Sequence, residues 1–112
     1  MWLELRDPSH EFHLTIIHSK VELPPVYSRR PWYHTSPITC RVVSKAMFGP
    51  HNDVPVAVVE LTEELLKLRR RAEESLSRNG ITWSMDYPFT PHVTLNGADV
   101  REFFTFTHLR WQ

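Results

Sequence analysis

Cysteine is almost missing from this chain: Cys40 stands alone among 112 residues. One thiol excludes an internal disulfide and cannot build a thiolate metal site, so nothing requires an oxidising compartment. An excess of one charge is missing too. Thirteen Lys and Arg balance thirteen Asp and Glu, with no basic tail and no acidic block, so long duplex nucleic acid held through its backbone is not the expected partner. A small phosphorylated ligand in a local pocket stays compatible. No apolar run approaches membrane-spanning length, and the stretch from Met1 to Pro8 is too charged for a secretory signal. The expectation is a soluble protein of the cytosol, or of an infected cell's cytosol, with no membrane partner. Seven histidines are present, yet no His-Glu-x-x-His and no His/Cys cluster at ligand spacing, so neither a metal nor another cofactor is expected. There is no low-complexity segment.

What is present suffices for one core. A 41% hydrophobic content over 112 residues predicts a single domain over 1–112. A short strand is expected from Trp2 to Leu5, stopped by Asp7-Pro8, and a second from about Glu11 to His18. Residues Val21 to Pro37 carry Pro24, Pro25, Pro31 and Pro37 together with Arg29, Arg30, Trp32, Tyr33 and His34, which reads as an ordered, irregular loop. Alternation from Ile38 to Phe48, a turn at Gly49–Asp53 and the β-branched run from Val54 to Leu61 predict an antiparallel hairpin. Pro55 places the start of that second strand at an edge or before its first ladder bond.

Thr62 as N-cap, Glu63 and Glu64 in the first turn, and Gly80 past the end frame a helix. Its apolar stripe is Leu61, Leu65, Leu68, Ala72 and Leu76. The run Arg69-Arg70-Arg71 reads as a solvated face, because Glu73 and Glu74 lie within one turn of it. A short strand at Ile81–Met85, a turn at Asn96-Gly97 and a last strand from Glu102 to Trp111 complete the prediction.

One pattern occurs twice. His13-Leu14-Thr15-Ile16 is echoed by His92-Val93-Thr94-Leu95. In a strand the histidine and threonine of each copy share one face and the aliphatic residues take the other. If the two strands lie side by side, two imidazoles and two hydroxyls surround one small ligand. Imidazole, with an ordinary pKa near 6.5, populates both protonation states near neutrality and can act as base or acid. The Thr15 and Thr94 hydroxyls, each about 6.6 Å along the strand from its histidine, can donate to phosphoryl oxygens as charge builds on them. The set suits attack of a 2′-hydroxyl on the adjacent phosphodiester without metal; symmetry leaves open which histidine is the base. The bland alternative is a small domain in which both motifs are structural.

The paired motifs resemble those of the 2H phosphoesterase superfamily. The order of segments over about residues 11 to 97, including Met47-Phe48-Gly49 and Tyr87-Pro88-Phe89-Thr90-Pro91 ahead of His92, is most similar to the phage anti-CBASS phosphodiesterases. That resemblance implies an α+β fold of two small antiparallel β-rich lobes around a central cleft, with one main helix. It also implies cleavage of cyclic di- or trinucleotide second messengers in the host cytoplasm by His13, Thr15, His92 and Thr94. An aromatic residue stacks on a nucleobase in such enzymes; Trp32, Tyr33 and Tyr87 are the candidates by neighbourhood. Lys20 and Lys45 are candidate phosphate contacts. The proline-rich loop stands where most members place a helix, so closure of the cleft by a partner subunit stays open. The rival readings are an enzyme of RNA ends or 2′,3′-cyclic phosphates, and a non-catalytic protein that binds cyclic nucleotides.

Overall fold

A computed structural model of the chain describes residues 1–28, 31–84, 89–95 and 101–112. Its elements in chain order are β1 (Trp2–Arg6), β2 (His13–His18), a single turn α1 (Pro25–Ser28), β3 (Tyr33–Phe48), β4 (Val54–Val59), α2 (Glu63–Arg78), β5 (His92–Thr94) and β6 (Phe103–Trp111). The strands close into one antiparallel barrel in the order β1-β2-β5-β4-β3-β6. This corrects the expected α+β fold of two lobes. The terminal strands β1 and β6 pair with each other, with reciprocal bonds between Trp2 and Gln112 at 3.0 and 2.7 Å. The 16-residue β3 pairs with both β4 and β6. Strands that separate lobes would each keep to themselves are thereby joined into one sheet without free edges, and α2 is the one long helix among the described residues.

β3 also corrects the expected loop over Val21–Pro37, since it starts at Tyr33. Pro37 is tolerated because the register against β6 shifts between His34 and Ile38, an irregularity where a missing N–H breaks no ladder bond. At the hairpin, Gly49 has φ +94° and a Cβ there would meet Val54 Cγ2 at 3.1 Å, so this turn needs glycine. Pro55 sits opposite Met47 within β4, inside the ladder, and its carbonyl accepts from the Leu95 N–H at 2.9 Å. At Ile81–Met85 only an isolated bridge from Trp83 to Ser19 forms among the described residues. The expected Asn96-Gly97 turn lies outside them.

The helix forms between its predicted caps. Thr62 Oγ1 accepts from the Leu65 N–H at 3.3 Å. At the other end Gly80 (φ +66°) donates to Ser77 and Ile81 to Leu76, a Schellman motif that seats Ile81 in the core. Leu65, Ala72 and Leu76 are buried in the same core cluster as Leu5, Leu14, Ala57 and Val93 of the sheet, whereas Leu61 is 42% exposed.

Arg69 is not solvated as expected: it is 5% exposed. The reason lies in β2. The β1–β2 register passes from Leu3↔Ile17 to Glu4↔Thr15, skipping Ile16, and Arg69 Nη1 donates to the Ile16 carbonyl at 2.9 Å. A β-bulge leaves a buried carbonyl off the ladder, and the guanidinium answers it. Arg70 and Arg71 are exposed. Among the described residues no helix is long and apolar enough to cross a membrane.

Candidate active site

The two His-x-Thr segments lie side by side. β2 and β5 pair antiparallel with Leu14 opposite Val93, which sets Thr15 opposite His92 and His13 opposite Thr94. Leu14 and Val93 are fully buried in the core. The four polar side chains therefore share the other face, as two crossed pairs, with the imidazoles on a diagonal of about 7–8 Å between strand positions. Neighbouring strands extend both rows. Glu4 of β1 stands beside Thr15 and Val58 of β4 beside His92; Arg6 stands beside His13 and Val56 beside Thr94.

The environments of the two imidazoles differ. His13 is half-buried, and burial pushes its pKa below the ordinary 6.5; the charge of Glu4 opposes this, while those of Arg6 and His92 add to it. Glu4 is 1% exposed, and its Oε2 accepts from Arg6 Nε at 3.0 Å. His92 is fixed by its own loop: Nδ1 lies 2.8 Å from the Thr90 carbonyl. A carbonyl only accepts, so Nδ1 carries the proton and Nε2 is the nitrogen available to a ligand. The Phe48 ring packs edge-on against His92 with centroids 4.7 Å apart.

A cleft of about 350 Å³ opens beside these groups, lined by Thr15, His18, Phe48, Arg69, Phe89 and His92 among others. His13 sits one register step to its side. A second cavity of about 220 Å³ lies on the helix side, between Leu3, Leu68, Ala72, Leu109 and Trp111. Among the described residues, no group of three or more His, Cys, Asp or Glu is arranged to hold a metal ion.

The outlying candidates fare unevenly. Lys45 pairs with Ala57, in the row of Val93 and Leu14, so it projects from the face opposite the imidazoles. Lys20 is exposed, its N–H donating to the Thr82 carbonyl at 3.0 Å. Tyr33 is 50% exposed and lines the helix-side cavity rather than the histidine cleft. Trp32 contacts His10, His108, Arg6 and Arg110. Tyr87 lies outside the described residues. Sequence reasoning missed Glu4, Arg6, Phe48 and Arg69. Glu4 and Arg6 alternate with Leu3 and Leu5, the one signal that marked them for the same face as a neighbouring strand's polar groups.

No family model matches the chain, and no curated protein and no solved structure matches it either.

Proposed function

We propose that this chain is a metal-independent phosphodiesterase that opens the 3′,5′ linkage of a cyclic di- or trinucleotide, with His13 and His92 as its proton-transfer pair. The observation that carries the reading is the β2–β5 register, which sets both imidazoles and both threonines on one face. His13, kept neutral by burial, takes the proton of the 2′-hydroxyl, whose oxygen attacks phosphorus to form a 2′,3′-cyclic phosphate. His92, oriented through Thr90, gives a proton from Nε2 to the departing 5′-oxygen. The hydroxyls of Thr15 and Thr94 donate to the non-bridging oxygens as charge accumulates there.

A cleft of about 350 Å³ fits a small ligand better than a duplex, and the balanced charge agrees. The choice of cyclic oligonucleotide rests on the resemblance of the paired motifs to the phage anti-CBASS enzymes. In that setting the protein would act in the cytoplasm of an infected bacterium to silence its signal.

The test is incubation with a panel of cyclic di- and trinucleotides and RNA ends in excess chelator, with products read by mass. Linear product is expected from the cyclic ligands, and His13→Ala or His92→Ala should each lower turnover by about 10² or more with the fold retained. Ligand bound but recovered intact would make the protein a sponge, and full activity in His92→Ala would end the two-histidine mechanism.

A further inference from the structure

The row that holds His13 continues away from the cleft. Arg6 pairs with His13 on one side and with His108 on the other, and His108 pairs with His34. Four strands thus present His34, His108, Arg6 and His13 in succession on one face, and Arg110 lies beside Glu4 in the adjoining row. At one strand spacing each, His108 stands about 10 Å from His13 across the sheet.

These residues form a tight cationic and aromatic cluster. The His108 ring lies 4.4 Å from that of His34 and 4.7 Å from that of His10. The guanidinium carbons of Arg6 and Arg110 lie 5.8 and 5.5 Å from the centre of the Trp32 ring. His10 reaches the cluster from a left-handed backbone (φ +60°), held by Arg6 Nη1 donating to its carbonyl at 2.7 Å. A non-glycine residue in that conformation costs energy and persists only where surrounding contacts fix it.

The nearby acids are partly engaged, the Glu4 oxygen Oε1 being buried without a hydrogen-bond partner among the described residues, in the row of Arg110. Glu4 accepts from Arg6 Nε, and Asp7 accepts from Ser9 Oγ at 2.6 Å and the Phe12 N–H at 3.1 Å. Among the described residues, Arg110 Nε is buried without a partner. Packing, then the charges of His34 and His10, lower the pKa of His108, against Asp7.

We infer that the cluster of His10, His34, His108, Arg6 and Arg110 around Trp32 is a second phosphate subsite, so that the chain takes ligands with a further phosphodiester beside the one at His13 and His92. This rests on the function proposed above for the identity of the ligand, and it deepens that reading by selecting oligonucleotides with two or more phosphates over single diesters. Guanidinium groups around a phosphate form charge-assisted bonds, and imidazole N–H groups add further donors, that a single-phosphate ligand leaves unmade.

The probes are the 2′-deoxy cyclic dinucleotide of adenosine, with two phosphates, and d(ApA), with two bases and one phosphate. Both lack the attacking hydroxyl, so binding to the wild-type chain is measured by calorimetry without turnover and independently of the catalytic proposal. The wild type should bind the cyclic ligand about tenfold or more tightly than d(ApA). Arg110→Gln and the exposed-site variant His34→Asn, each checked by its melting curve, should bring that ratio to within about twofold. A ratio near one in the wild type, or a ratio unchanged in both folded variants, overturns the subsite. A preserved ratio that collapses in the variants, in a chain that turns over nothing, leaves the subsite standing and removes only the catalysis.

Discussion

Replacing Arg69 with methionine isolates the strut between helix and bulge, because methionine keeps an unbranched apolar stem and removes the guanidinium. The Ile16 carbonyl, which now receives Nη1 at 2.9 Å, is then left buried without that donor, at a cost of about 1–3 kcal/mol. The guanidinium over the Phe89 ring, 5.2 Å from its centre, contributes about 0.5–1 kcal/mol more. Relief of the desolvation of a buried charge offsets part of this, leaving a net loss of about 2 kcal/mol. For 112 residues the unfolding entropy is about 0.24 kcal/mol/K. The midpoint should therefore fall by about 8 °C. Arg70→Met, on the exposed face, should move it by about 2 °C or less. Thermal unfolding followed by circular dichroism at neutral pH reads both. If the two variants melt together, the buried guanidinium is not what holds the bulge, and the account of β2 fails. Since Arg69 also lines the cleft beside Thr15 and His92, Arg69→Met should lower kcat/KM as well, while Arg70→Met leaves it within about twofold.

Because burial holds the His13 pKa below 6.5, a base limb in the log kcat/KM profile should lie below that value, with activity rising with pH through it and lost under acid; a limb above 6.5 would assign the base elsewhere. The same group links to stability. A lowered folded pKa means the unfolded chain takes the proton first, so stability is undiminished above 6.5 and is lost as pH falls from there through the folded value of His13; His13→Gln should flatten that part of a melting-versus-pH curve. Phe48→Ala removes the ring packed on His92 and should lower kcat about tenfold with KM little changed; a pure KM effect would mean that Phe48 touches ligand rather than orienting the imidazole. The Cys40 thiol, fully buried and pushed up to about 11 by burial and the charge of Glu64, should resist iodoacetamide at pH 8 in the native protein and react in urea. Rapid labelling of the native chain would contradict that burial.

Local signals carried far in this chain. Thr62, Glu63, Glu64 and Gly80 marked the helix within a residue of its observed ends, and the alternation of His13, Thr15, His92 and Thr94 with apolar residues marked the shared face. Non-local pairing was out of reach. Nothing between Val21 and Pro37 announces that Tyr33 and His34 join β6 opposite Leu109 and His108, because prolines read as loop unless a register shift absorbs them. Closure through β1 and β6 is likewise a contact between the two ends of the chain. Arg69 was misjudged for a related reason: the carbonyl that buries it exists only because β2 bulges against β1, and no periodicity in α2 encodes that. Lys45 sits in a strand as expected, but which face it takes follows from its partner Ala57.

Two motifs of the same composition need not play the same part, and the flanking strands supply the difference. His13 has β1 at its side, with Arg6 directly opposite and the carboxylate of Glu4 on the diagonal. Burial is the largest influence there, ahead of the opposed charges of Glu4 and Arg6, and it favours the neutral ring. His92 has β4 at its side, with Val58 opposite and Phe48 against its ring, and its one fixed polar contact is the Thr90 carbonyl at Nδ1. A carbonyl cannot take up the proton, so it holds Nδ1–H in place and directs all proton exchange to Nε2. In the proposed mechanism, a group that begins neutral serves as the base and a group with one fixed donor as the acid of a single displacement. The asymmetry that the repeated motif conceals is therefore written in the residues of β1 and β4, one strand away on either side.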